Sequence, residues 1–196
     1  MTNMFRNIAI VIAALALPAL AADYNIDPAH SAAQFSVRHL MVSNVRGEFS
    51  KVTGKVVYDD ATPTAITVEA SIDVSTISTR EPQRDTHLKS PDFFDVAKYP
   101  EFSFKSTGVK KTAQGLDVSG NLTIHGVSKP VVLHVSGITN EIKDPFGMLR
   151  RGATATTVIN RKDFGMIWNK TLDGGGVMVG DEVTITLDVE VTRKPA

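Results

Sequence analysis

The chain has 196 residues, 42% of them apolar, and its 21 basic and 21 acidic side chains cancel. That length fits one domain with its own core, and zero net charge without long like-charge runs argues against a nucleic-acid or anionic-membrane partner held by bulk charge. The absence of cysteine excludes disulfides, thiolate nucleophiles and Cys-ligated metals.

The first 21 residues, "MTNMFRNIAIVIAALALPALA", carry one basic residue, Arg6, then an apolar run from Ile8 to Leu17. The run ends in Ala19-Leu20-Ala21, the small-x-small pattern of a signal peptidase site, and is too short to span a bilayer well. Residues 1–21 are therefore expected to be a signal peptide, cut between Ala21 and Ala22, with residues 22–196 as the folded domain. No cysteine follows the run, which excludes a lipid anchor, and no stable membrane insertion is expected after removal. Export combined with a cysteine-free domain stable on its core points to the bacterial periplasm or the exterior.

Beyond the leader, strands follow one another. Phe35 and Val37 share one parity. In "GEFSKVTGKVVYD", Phe49 has one phase and Val52, Val56 and Tyr58 the other, so a bulge is expected near Lys51. "AITVEASIDV" alternates without error, with Ile66, Val68, Ala70, Ile72 and Val74 on one face. The stretch "REPQRDTHLKSPDFFD" interrupts the strands. Pro82 suits a helix's first turn, Asp85 and Lys89 are spaced to pair, Pro91 stops the helix, and Phe93 and Phe94 follow as an aromatic plug.

Phe102 and Phe104 then share a face, and "LDVSGNLTIH" sets Leu116, Val118, Leu122 and Ile124 against polar neighbours. "TAQG", "HGVSKP" and "KDPFG" supply the turn residues. "RGATATTVIN" is small and polar on both faces and is read as a strand. "NRKDFGMIWNKTLDGGG" places Phe164, Met166, Ile167 and the only tryptophan, Trp168, in an aperiodic stretch: a loop over the core, a flap over a pocket mouth, or a dimer contact. The glycines of "GGGVMVG" precede a strand rather than a helix, so a flexible loop is the better reading than a phosphate-binding one. "VTITLDVEV" closes the series with Val183, Ile185, Leu187, Val189 and Val191 on one face. About eight strands with one apolar and one polar face give an all-β, antiparallel architecture, which a sandwich and a closed barrel both satisfy.

Candidate chemistry is sparse. The five histidines, His30, His39, His87, His125 and His134, have no metal-ligand spacing, so no metal and no cofactor are expected. There is no G-x-S-x-G elbow and no specific support for paired-acid glycosidase chemistry.

"RDTHLKSPDFFDVAKYP" (84–100) resembles the signature of the YceI-like family, the polyisoprenoid-binding lipocalin-like proteins. "YNIDPAHSAAQFSVRHL", "GEFSKVTGKVVYD", "FSFKSTGVKK", "GNLTIHGVSKPVVL" and "VINRKDFG" agree, in order, across the chain after the leader. The resemblance implies an eight-stranded antiparallel lipocalin-like barrel with the short helix closing one end. It implies a lumen holding an elongated apolar molecule, such as a polyisoprenoid or fatty amide, a periplasmic location for exported members, dimers for some, and an association with stress responses.

On that reading the lumen comprises Phe35, Val37, Val68, Ile72, Phe93, Phe94, Phe102, Phe104, Leu122, Ile124, Leu133, Ile185 and Leu187. His39, Arg84, His87 and Trp168 are expected at the rim, facing a head group. Two other readings stand beside the carrier. One is an enzyme acting on a barrel-bound lipid through His87 with Asp85 or Asp92; Asp85 and His87 lie two apart on one helix and point apart. The other is a structural domain whose lumen is filled by its own side chains.

Overall fold

The computed structural model describes residues 21–195; the expected signal peptide lies outside them but for Ala21. The strands are β1 (Ala22–Ile26), β2 (Ala32–His39), β3 (Ser43–Phe49), β4 (Val52–Tyr58), β5 (Thr67–Asp73), β6 (Ile77–Ser78), β7 (Glu101–Lys111), β8 (Leu116–Ile124), β9 (Val127–Ser136), β10 (Ile142–Lys143), β11 (Leu149–Asn160) and β12 (Val179–Arg193). One α-helix, α1 (Pro82–Lys89), lies between β6 and β7.

β1 and β2 run in line along one edge of β12, with Ile26 opposite Val191 and Ala33 opposite Leu187. β3 and β4 return beside them as a second broken stave. From β4 the sheet continues antiparallel through β5, β7, β8, β9 and β11, and β11 pairs with the other edge of β12. The result is a closed eight-stave barrel, and the alternating apolar residues of the sequence face its inside. The interruption expected near Lys51 is a two-residue break at Ser50 and Lys51, where β3 turns away to meet β6 while β4 pairs with β5. Both Phe49 and Val52 are thereby buried. Gly54 on β4 has φ +148°, and a Cβ there would stand 2.1 Å from the Glu69 carbonyl oxygen, so the β4–β5 ladder requires glycine at this point.

One contact in the ring is short. β9 and β11 share register pairs only at residues 134–136 with 154–156. Above them, Val127–Leu133 and Thr157–Asn160 have no ladder partner across this seam, among the described residues. The 3₁₀ turn Arg161–Phe164 follows β11 and drives Phe164 into the core, where it is 2% exposed.

The two ends differ in construction. At one end meet the chain's first strand, its last strand and the loops after β4 and β9; we call this the base. There Arg150 bonds Asp144 through Nε at 2.5 Å and Asp27 through Nη1 at 2.8 Å, and it also contacts Glu190. The His30 hydrogen bond and then the Arg150 guanidinium pull the Asp27 carboxyl down from 3.8 to about 2. The other end carries the β2–β3 turn, α1 and the loop before β12. The side chain of Glu81 caps α1 at the Gln83 N–H, at 3.3 Å. None of its eight residues is buried. The expected Asp85–Lys89 pair is not formed. The Asp85 carboxylate accepts instead from the Thr79 N–H and hydroxyl at 2.8 and 2.6 Å, because the chain entering the helix brings bare donors within reach.

Phe164→Ala removes a fully packed ring and is expected to cost about 3–5 kcal/mol, read from urea unfolding by circular dichroism. Because folding depresses the Asp27 pKa, its contribution is complete above the unfolded value of 3.8 and is lost as pH falls through about 2. Wild type should lose up to about 2 kcal/mol more than Asp27→Asn between pH 6 and pH 2, in parallel denaturation series.

Candidate functional site

The barrel encloses a cavity of about 250 Å³ whose surface is almost wholly apolar. Every residue named from the sequence for the lumen, from Phe35 on β2 to Leu187 on β12, lines it. Phe94 reaches it from the segment after α1 and packs on Phe49 and Phe102, with ring centroids 5.8 and 5.4 Å away. Phe49 and Phe102 meet at 5.5 Å. Such edge-to-face clusters bury large apolar area without a polar atom.

β11 contributes the smallest run of side chains to the lining. Its inward row reads Arg151, Ala153, Ala155, Thr157 and Ile159, and Arg161 follows in the same parity. Most inward positions of the other staves carry Phe, Leu, Ile or Val, with Ala33 on β2 and Ala70 on β5 as further small residues at the lining. β11 looked featureless in the sequence because small side chains carry little period-two signal. The arginines at 151 and 161, in the parity that is apolar on the other strands, were the available clue, and sequence reasoning passed over both.

Those two arginines mark the ends of the cavity. Arg151, 8% exposed, meets Asp60 through Nη1 at 2.8 Å and Nη2 at 2.6 Å and donates to the Thr139 carbonyl at 3.0 Å. Its guanidinium lies 4.9 Å from the Tyr58 ring centre, and its Nε has no hydrogen-bond partner among the described residues. The Arg151 bonds hold the Asp60 carboxyl below its ordinary range; burial, then Asp60, push the Tyr58 phenol up. Beside them Glu141 accepts from the Tyr24 hydroxyl at 2.5 Å and from Arg193 at 2.8 and 2.9 Å. This network ties both chain-terminal strands to two loops and seals the base.

Arg161, 3% exposed, holds the opposite end. It donates to the carbonyls of Met166 at 2.5 Å, Trp168 at 2.8 Å and Gly180 at 2.9 Å. Asp181 is 3.3 Å away and also bound to Lys162. Burial pushes the Arg161 pKa down, while the ring of carbonyls keeps its N–H groups satisfied. The Gly165–Met178 loop is thus fastened to the barrel, with Met166 in the core, Ile167 exposed and Trp168 half-buried. Trp168 then faces the α1 segment. Its ring centre is 5.1 Å from His87 and 5.1 Å from Phe93, and His87 lies 5.0 Å from Phe93.

The expected rim is only partly assembled. His87 and Trp168 meet in this aromatic seam, but neither they nor His39 or Arg84 line the cavity. His39 ends β2 opposite Val179. Arg84 turns back along its own segment, giving Nε to the Thr79 hydroxyl at 2.8 Å and Nη2 to the Thr79 carbonyl at 2.9 Å; it braces α1. His87 also pairs with Asp92 at 2.9 Å, in the open. At the base, Asp27, His30 and Glu190 bring ligand atoms within 4.8 Å of one another, but Arg150 already contacts both carboxylates, so an ion-pair cluster accounts for them.

The YceI-like domain profile matches residues 24–191. The UPF0312 protein YE1254 of Yersinia enterocolitica is 40% identical over 177 residues, covering 89% of this chain and 88% of that protein. A Campylobacter jejuni YceI protein superposes with TM-score 0.66 at 29% identity, over 80% of this chain and 90% of that one. A polyisoprenoid binding domain from Saccharophagus degradans, described as implicated in plant cell wall breakdown, has the same fold, with TM-score 0.62 at 16% identity over 90% of this chain and all of that one (100%). With a profile match spanning nearly the whole barrel and a relative this similar along its length, the chain belongs to the YceI-like family.

Proposed function

We propose that this protein is an exported, periplasmic carrier that encapsulates the hydrocarbon chain of an elongated lipid, of polyisoprenoid or fatty-amide type, without transforming it. The single observation that carries the reading is the cavity within the barrel: it is empty of side chains and almost free of polar surface. Water gains few partners there, whereas each buried methylene is worth about 0.8 kcal/mol. A guest burying about ten methylenes gains ~8 kcal/mol, the scale of a micromolar Kd before immobilisation is counted. The name given to the Saccharophagus domain agrees with such a guest. The leader supports export. The lumen surface is almost wholly apolar along its length, so the head group belongs at an end of the barrel, and the end closed by α1 is the one without the ion-pair network.

A catalytic reading has one observation behind it, the His87–Asp92 pair. That pair is exposed and stands off the cavity, so a lipid chain in the lumen would not present a reacting bond to it. A lumen filled by its own side chains, the structural alternative, does not describe this barrel.

Mass spectrometry of a solvent extract from protein purified without added lipid should return a long-chain species in near-stoichiometric amount. An empty extract would remove the carrier reading, and chemical conversion of the recovered lipid by fresh protein would favour an enzyme. Ala155→Phe fills the void from β11 and is expected to cut recovered lipid at least tenfold, with the far-ultraviolet spectrum unchanged.

A further inference from the structure

We propose that the end closed by α1 is a membrane-docking surface through which the barrel exchanges its guest with a lipid bilayer. The inference rests on the carrier reading for its purpose, and on independent features of the surface for its location.

The first feature is the turn between β2 and β3. Leu40 and Met41 have φ of +49° and +61°, and the Val42 N–H donates to the His39 carbonyl at 3.0 Å. This is the pattern of a type I′ turn, which normally takes Asn-Gly because both central residues sit in the left-handed region. Here two large apolar residues occupy it. Arg38 clamps the tip by donating to the Met41 carbonyl at 2.8 Å, and the Leu40 N–H donates to the Met178 carbonyl at 2.8 Å. A strained backbone that persists under such bracing points to a role for the side chains it displays. Met41 is 51% exposed and Val42 74%.

The second feature is Ile167, 72% exposed. It sits next to Trp168, on the loop that Arg161 fastens down, at the same end of the barrel. The third is the seam itself. α1 has no fully buried residue, with Leu88 alone of its side chains at the cavity, and α1 and the segment after it meet this loop through the rings of His87, Phe93 and Trp168. Such contacts part without stranding a charge, unlike the ion pairs of the base. The apolar tips therefore flank the closure that yields most easily.

A bilayer fits these tips better than a folded partner. They are separate side chains on loop ends rather than a flat patch of the size a protein interface needs, and a fluid surface accepts such prongs singly. The two loops, residues 38–44 and 165–178, carry Arg38, Lys170 and Asp173 with His39, so insertion rather than charge attraction drives docking, with little salt dependence. A guest with negligible solubility in water also has to be collected from, and returned to, an apolar phase.

The test uses the chain from Ala22 and phosphatidylcholine vesicles. Wild type should float with vesicles at low and high salt, and bromine-labelled acyl chains should quench Trp168, the only tryptophan. The triple variant M41S/V42S/I167S should lose at least tenfold in flotation. It should take up diphenylhexatriene from vesicle-free solution as wild type does, yet at least tenfold more slowly from vesicles. Phe146→Ser, at the base where that ring is 90% exposed, should change nothing. Undiminished flotation of the triple variant, loss of flotation in Phe146→Ser alone, or self-association of the wild type through these tips in place of vesicle binding would overturn the proposal. Failure of wild type to take up diphenylhexatriene from solution would count against the carrier reading and leave the flotation result to decide docking.

Discussion

β12 is hydrogen-bonded along both edges, and the rest of the molecule depends on that closure. Twelve register pairs join it to β11, while β1 and β2 share its other side. Without it, the sheet would end in two raw edges, each a template for pairing with another chain. With it, the strands must tilt and curve around a lumen whose size follows from their number. Eight staves leave a space that ordinary side chains just fill. Here Ala153 and Ala155 on β11, with Ala33 and Ala70 on other staves, withhold part of the filling. The hollow is thus the product of a backbone constraint and a local choice of small residues.

The ends of the container use different forces. At the base, Arg150, Arg151 and Arg193 are paired with carboxylates. These pairs are partly buried and directional, and they hold the strand ends and two loops in one arrangement. At the other end the closing contacts are aromatic edges, strong in area and tolerant of displacement. Arg161 anchors one leaf of that closure to backbone carbonyls. The α1 leaf is braced within its own segment by Arg84 and Asp85 on Thr79 and held to the barrel by apolar contacts such as Phe94 on Phe49 and Phe102. A firm floor and a yielding roof follow from that difference.

Much of this was legible in the sequence. Period-two runs such as Val68–Ala70–Ile72 and Val183–Ile185–Leu187 declare strand and face together, since a one-residue slip would expose them. The helix start at Pro82 and the slip beside Lys51 were readable from proline chemistry and phase. Barrel rather than sandwich was not, because closure is a pairing between β12 and β1 across the whole chain, and it entered through family resemblance. β11 hid its importance because Ala and Thr carry weak periodicity. The Arg84 side chain expected at the rim and the Asp85 side chain expected to pair with Lys89 both bond Thr79 instead, because local donors and acceptors are invisible to residue spacing. Arg151 and Arg161 were overlooked since arginine on a strand normally means solvent.

The brief contact between β9 and β11 has a further consequence. Only three register pairs bridge that gap, so the upper wall between these staves is held by side chains such as Leu133 and Ile159. Spreading it breaks no ladder bond. Of the eight junctions of the cylinder this is the one where widening would break the fewest bonds, like the gap of a split ring.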